Sequence, residues 1–138
     1  MNQQPPLNQQ PPLMAQPPVV AVVDDDAAVC SSLRFALELD GFSVHAFSSG
    51  PEFLNATGLD AYDCLVIDQR MPVMSGLDVI TKLRTQNIRT PAILLVSSHP
   101  NAALSSRAAR ADIPIVEKPL LGNALVDKIR ELCAPRLQ

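Results

Sequence analysis

Four stretches of this chain end in residues able to handle a charged oxygen ligand. Asp24, Asp25 and Asp26 follow the apolar run Val19-Val20-Ala21-Val22-Val23, and Asp68 follows Cys64-Leu65-Val66-Ile67. Ser97 follows Ala92-Ile93-Leu94-Leu95-Val96, and Lys118 ends the segment 113–117. Singly, each has a plain role. An Asp run before a helix caps it and offsets its dipole. Asp68 can lead a turn into Met71-Pro72, Ser97 can close a local turn, and Lys118 can be a solvated charge. Together they resist that explanation. Crowded carboxylates repel one another, and one lysine does not balance three or four of them. A divalent cation is the economical counter-charge. All-oxygen donors favour Mg²⁺ over zinc, and Mg²⁺ takes one or two carboxylates plus phosphate oxygens. Phosphoryl transfer is the chemistry that follows. The Asp68 carboxylate attacks phosphorus, the cation and Lys118 neutralise the phosphoryl oxygens, and Ser97 donates a hydrogen bond to one of them. An acyl phosphate forms, and water later removes it.

The elements that must bring these residues together are legible as an alternation. Val19–Val23 is short, apolar and β-branched, as a strand buried on both faces requires. Val29, Leu33 and Leu37 recur on one helix face; Asp26 can cap its start and Gly41 close its end. Residues 42–47 carry polar groups and suit an edge strand, and a short helix covers 50–56. Cys64–Ile67 is a second buried strand, followed by a helix with Leu77, Ile80 and Leu83 on one face. Ala92–Val96 is a third buried strand, and 101–110 a small, alanine-rich, weakly packed helix. Pro114 inside 113–117 argues for a sheet edge. Leu121, Leu125 and Ile129 mark the last helix, with Cys133 near its end. Five strands alternating with five helices predict an α/β fold. It is a flavodoxin-like, doubly wound five-stranded parallel sheet of order 2-1-3-4-5, with helices on both faces. Ligands in such folds sit outside the carboxyl ends of the strands, where the residues above converge.

Composition bounds the rest. The 138 residues fit one domain, and a hydrophobic share of 47% supplies a core for it. The net charge of −3, with lysines and arginines scattered, argues against direct nucleic-acid binding. Cys30, Cys64 and Cys133 are odd in number and lack zinc spacing, so they read as free thiols in a reducing compartment. The N-terminus has no secretory pattern and no run long enough to span a membrane. A cytoplasmic protein without membrane association is expected. Residues 1–18 stand apart: Asn-Gln-Gln-Pro-Pro-Leu occurs at 2–7 and again at 8–13. Such a segment cannot pack. It reads as a disordered Gln/Pro-rich tail, or else a proline-rich docking ligand, ahead of a domain over 19–138.

At this point a family resemblance becomes visible. Val22-Val23-Asp24-Asp25-Asp26, Ile67-Asp68-Gln69-Arg70-Met71-Pro72, Ser75-Gly76, Ser97-Ser98-His99 and Glu117-Lys118-Pro119, in this order, resemble the receiver domains of two-component response regulators. The likeness runs from about Val19 to Cys133, and the separation 118 − 68 = 50 is also like the family's. The resemblance implies that Asp68 is the phosphoacceptor. Asp24 and Asp25 are then the acidic pair, with Asp25 the direct metal ligand, and the backbone carbonyl of Arg70 is a further ligand. Ser97 matches the switch hydroxyl position and Lys118 the family's lysine. Asp26 falls outside the pair and reads as a helix cap. Arg70 and His99 stand where the family lines the approach of the attacking water, so their side chains tune dephosphorylation or are ordinary surface groups. Two features depart from the pattern. The position three residues before the lysine, usually aromatic, is Ile115, and no glycine precedes strand five. The reading is that phosphorylation is intact while its signal leaves by a different or weaker rearrangement.

No output domain is expected after residue 138, so output is expected to be non-covalent. The implied phosphoryl donor is a sensor histidine kinase or phosphotransfer protein, and the downstream protein is unspecified. Residues 101–133 are the face the family uses for partners or a homodimer. Leu104, Leu120 and Leu121 there are either apolar contacts or core. A phosphoacceptor that assists its own phosphorylation and dephosphorylation is expected, rather than a turnover enzyme. A haloacid-dehalogenase-type phosphohydrolase would need an Asp at position 70 as its acid/base, and Arg70 stands there. A phosphorylation-independent, receiver-like protein-binding module is kept open by Ile115.

Overall fold

The structure is a computed structural model that describes residues 17–118 and 123–133. Residues 1–16 of the Gln/Pro-rich segment, and Pro119, Leu120 and Leu121, lie outside the described residues. Strand β1 (Val19–Val23) leads to helix α1 (Ala27–Leu39) and strand β2 (Ser43–Phe47). Helix α2 (Gly50–Leu54) and a 3₁₀ turn (Leu59–Ala61) precede β3 (Cys64–Asp68) and α3 (Gly76–Thr85). Then come β4 (Ala92–Val96), α4 (Ala102–Arg110), β5 (Ile115–Glu117) and α5 (Ala124–Cys133).

All strand pairs are parallel, and the order is β2-β1-β3-β4-β5, as the alternation predicts. The two polar-rich strands, β2 and β5, are the edges. Because successive strand residues face opposite ways, the sheet feeds two cores. Ala21, Val23, Leu65, Ile67 and Leu94 pack with Phe53 of α2, Leu77, Ile80 and Leu83 of α3, and Ala108 of α4. Val20, Val22, Cys64, Val66, Ile93 and Leu95 pack with Leu33 and Leu37 of α1 and Leu125, Ile129 and Cys133 of α5. The expected helix faces are therefore the buried ones.

Cap chemistry sets the helix starts nearest the site. Asp26 accepts from Ala28 N and Val29 N at the head of α1, as its cap role requires. Gly41 follows the end of α1 at φ 92, a conformation natural only to glycine. Ser75 and Asp78 form a reciprocal capping box on α3. The boundaries differ slightly from expectation. β2 starts at Ser43, α2 ends at Leu54, and Asn101 is the cap of α4 rather than its first turn. Pro114 precedes β5 instead of lying within it, because a proline has no N–H for the ladder; its carbonyl still accepts from Leu94 N. Pro18, the last residue of the Gln/Pro-rich segment, likewise accepts from Ser43 N beside the β1–β2 pair. Leu104 is half-buried against the α3 side of the core, and α4 buries fully only Ala108, in keeping with its weak packing.

Candidate functional site

The strand ends bring together what the chain keeps far apart. Asp24 N donates to Phe47 O, Gln69 N to Leu95 O and Lys118 N to Val96 O, so the ladder continues just past the strand ends and fixes each backbone there. Alternation then aims the side chains. Val20 and Val22, Val66, Leu95, and Val116 all face the α1–α5 side, and Asp24, Asp68, Ser97 and Lys118 lie two residues beyond the last of each series. All four fall on the same side of the sheet by the two-residue period.

Asp24 and Asp68 are buried, at 1% and 5% exposure, while Asp25 is exposed. The Lys118 ammonium spans the two buried carboxylates, 3.1 Å from Asp24 Oδ2 and 3.0 Å from Asp68 Oδ1. The other oxygen of Asp24 accepts from Asp26 N at 2.9 Å. Burial pushes the Asp68 carboxyl above its ordinary range; the Lys118 hydrogen bond opposes this, and the charges of Asp24 and Asp25 add to it. Burial acts to lower the Lys118 ammonium, but its hydrogen bonds to Asp68 and Asp24 together outweigh that and raise it. Carboxylate oxygens of Asp24, Asp25 and Asp68 lie within 4.8 Å of one another. Three carboxylates around one ammonium leave negative charge uncompensated, and a hard oxygen set of this size suits a divalent cation such as Mg²⁺.

The remaining expected residues take neighbouring positions. Ser97 is exposed at the end of β4, and its hydroxyl has no hydrogen-bond partner among the described residues. It lines a cleft of about 160 Å³ together with Gln69, Arg70 and His99. Arg70 is exposed, two residues beyond Asp68. His99 Nδ1 lies 3.1 Å from Glu117 Oε1, an exposed contact across the β4–β5 edge. Ile115 is half-buried against the α3-side core, at the position where the resemblance implies an aromatic ring.

Two residues with positioning roles were quoted in the motifs without a role of their own. Gly76 N donates to Gln69 O, and a Cβ on Gly76 would stand 2.5 Å from Asp68 O and 2.8 Å from a Leu94 methyl. Only glycine lets α3 start this close to the Asp68 backbone. Gln69 Oε1 accepts from Leu77 N at 2.9 Å, tying the residue after Asp68 to the first turn of α3. The signal for Gly76 was its place directly after a Ser75-x-x-Asp78 cap; for Gln69 there was none. Between them Val73 adopts φ 72 while 89% exposed. That is a strained state for a β-branched residue, held where Met74 N donates to Pro72 O.

A parallel sheet of this order with a lysine between two buried aspartates at its carboxyl edge defines a class of protein. Residues 20–130 match the family profile described as response regulator receiver domain, and the chain belongs to that family. It is 39% identical over 112 residues to the response regulator protein TmoT of Ectopseudomonas mendocina, covering 80% of this chain and 50% of that protein. The structure of the response regulator StyR superposes with a TM-score of 0.78 at 34% identity, covering 87% of this chain and 62% of that one. FixJ-N gives a TM-score of 0.74 at 29% identity over 89% of this chain and 98% of that one. The chain spans about half the length of the curated relatives it matches.

Proposed function

We propose that this chain accepts a phosphoryl group on Asp68 from a sensor histidine kinase or phosphotransfer protein, and signals by non-covalent binding to a protein partner. The observation that carries this reading is the Lys118 ammonium held between Asp24 and Asp68 at 3.1 and 3.0 Å beside a third carboxylate. Asp68 Oδ attacks phosphorus, the bond from phosphorus to the donor breaks, and an acyl phosphate forms. Lys118 has three N–H donors, so it can turn from its carboxylate partners toward phosphoryl oxygens. Ser97, with its hydroxyl unengaged, donates to another. Asp24, Asp25, Asp68 and the Arg70 carbonyl would hold Mg²⁺, which when bound neutralises charge on the transferred group. Arg70 and His99 beside the Ser97 cleft tune the later entry of water. The chain assists its own phosphorylation and dephosphorylation rather than turning over a small substrate, and it works in the cytoplasm, where such donors have their phosphohistidine. The face containing α4, β5 and α5 is the docking surface for the partner or for a second copy.

A second reading rests on Ile115. An aliphatic side chain already packed against the core cannot swing as an aromatic ring would, which favours a receiver-like binding module that acts without phosphate. One experiment separates the two. After incubation with acetyl phosphate and Mg²⁺, intact mass should show one phosphoryl adduct that is absent from Asp68→Asn. Wild-type protein that stays unmodified would leave the binding module as the better account.

A further inference from the structure

We propose that Cys64 and Cys133 form a closable dithiol, a site of intramolecular disulfide formation that ties the end of α5 to the start of β3. Cys64 is the first residue of β3, at the opposite end of that strand from Asp68, and Cys133 is the last residue of α5. Both are fully buried in the same core cluster. Cys133 Sγ donates to the carbonyl of Asp63, the residue before Cys64, at 3.7 Å, and Cys64 Sγ donates to Leu65 O at 3.8 Å, so both thiols sit at the start of β3. Buried cysteines usually serve as small hydrophobes. That accounts for the burial of each, but not for two cysteines 69 positions apart (133 − 64) being brought to the same end of one core cluster. A disulfide has its sulfurs about 2 Å apart, and two thiols anchored on the backbone carbonyls of Asp63 and Leu65, on either side of Cys64, are placed to close that distance by side-chain rotation.

The chemistry balances with a peroxide as oxidant. The Cys133 sulfur attacks one peroxide oxygen and the O–O bond breaks. The thiol proton leaves with the departing oxygen as water, and a sulfenic acid remains. The Cys64 sulfur then attacks the sulfenic sulfur. The S–O bond breaks, the Cys64 proton leaves with the hydroxyl as a second water, and the S–S bond is formed. Two thiols are oxidised and one peroxide is reduced to two waters. The neighbouring Cys133 thiol and burial push the Cys64 thiol up, which makes Cys64 a poor first nucleophile toward peroxide and leaves it the second step. Cys133, in the final turn of its helix, meets the oxidant when that turn opens, as helix ends do. Cys30 is no part of this. Its thiol donates to Asp24 O at 3.2 Å, at the other end of the sheet. The bond would fix the last turn of α5, one wall of the proposed docking face.

The test uses the full chain in Mg²⁺-free and phosphate-free buffer, so its outcome is independent of the phosphoacceptor reading. Protein is treated with hydrogen peroxide, its remaining thiols are alkylated, and intact and peptide masses are measured. The expected product has lost two hydrogens, takes one alkyl group, on Cys30, and yields a peptide cross-link between Cys64 and Cys133. Cys30→Ser should form the same link; Cys133→Ala should not. Should Cys133→Ala fail to fold, Cys30→Ser alone decides, because it retains only the proposed pair. Stepwise oxygen additions without a cross-link, or three alkylated thiols after oxidation, would overturn the proposal.

Discussion

At the scale of single residues, the site is a contest between burial and one lysine. Asp68 is buried beside two other aspartates, and Lys118 divides its ammonium between Asp68 and Asp24. The net effect on Asp68 is a carboxyl raised above its ordinary 3.8. An acid that binds its proton more tightly when folded stabilises the fold at low pH, and that contribution is lost as pH rises through the folded-state value. At neutral pH without a divalent cation, ionised Asp68 is therefore a burden on stability. Asp68→Asn keeps the shape and removes the charge, and Lys118 retains Asp24. The variant should be more stable than wild type by about 1 kcal/mol at pH 7, with the difference shrinking as pH falls through the raised value toward 3.8. Urea unfolding at a series of pH values measures it. A less stable variant at neutral pH would mean that the Lys118–Asp68 pair outweighs the burial of the charge.

At the scale of elements, the strand ends could be read from the chain because fully buried strands are continuous apolar runs. The polar residue that stops each run is the one delivered to the sheet edge. Asp24, Asp68 and Ser97 were visible for that reason; Lys118 follows the partly exposed edge strand β5 and was visible from its place after Glu117 at the end of that segment, and Asp26 as a helix cap. The helix edges near Gly50 and Asn101 were less legible, since a cap and a first turn use the same residue types. Nothing in the sequence shows that Lys118 spans both buried carboxylates, because that depends on the β4–β5 register and on α-side packing. Nor does it show that Cys64 and Cys133 share one core cluster. The close approach of α3 to Asp68 lies between these extremes: Ser75-Gly76 stood out as a motif, but the cap at Ser75 and the function of Gly76 did not. Gly76→Ala tests it. The added methyl meets Asp68 O at 2.5 Å and a Leu94 methyl at 2.8 Å, and a strand carbonyl in mid-sheet cannot yield as a flexible side chain would. A loss of about 1–3 kcal/mol is expected from overpacking, read by urea denaturation, with slower adduct formation from acetyl phosphate because Asp68 itself is displaced. Unchanged stability would show that the start of α3 shifts freely.

At the scale of the whole molecule, two hydrophobic layers hold a sheet whose carboxyl edge concentrates like charge. The chain is acidic, with a net charge of −3, and β1 and β3 are neighbours in the sheet order, so their terminal carboxylates are forced together wherever the fold forms. The unfolded chain has no such cluster: Asp24 and Asp68 are separated there by more than forty residues. A cation that binds the cluster thus favours the folded state selectively. At a free concentration one hundred times its dissociation constant, a single-site ligand stabilises by about 2.7 kcal/mol. For a domain of this length that amounts to a rise in Tm on the order of 10 °C. Mg²⁺ should therefore raise the melting temperature saturably, and a chelator should return it. Asp25→Asn is the informative variant, because Asp25 is exposed and takes no part in the Lys118 bridge. Its metal-free melting temperature should be equal to or slightly above wild type, because the charge it removes adds to the burden on Asp68, while most of the Mg²⁺ increment should vanish. An equal Mg²⁺ response in Asp25→Asn would place the cation elsewhere. No response in the wild-type chain would mean that Lys118 alone offsets the buried pair.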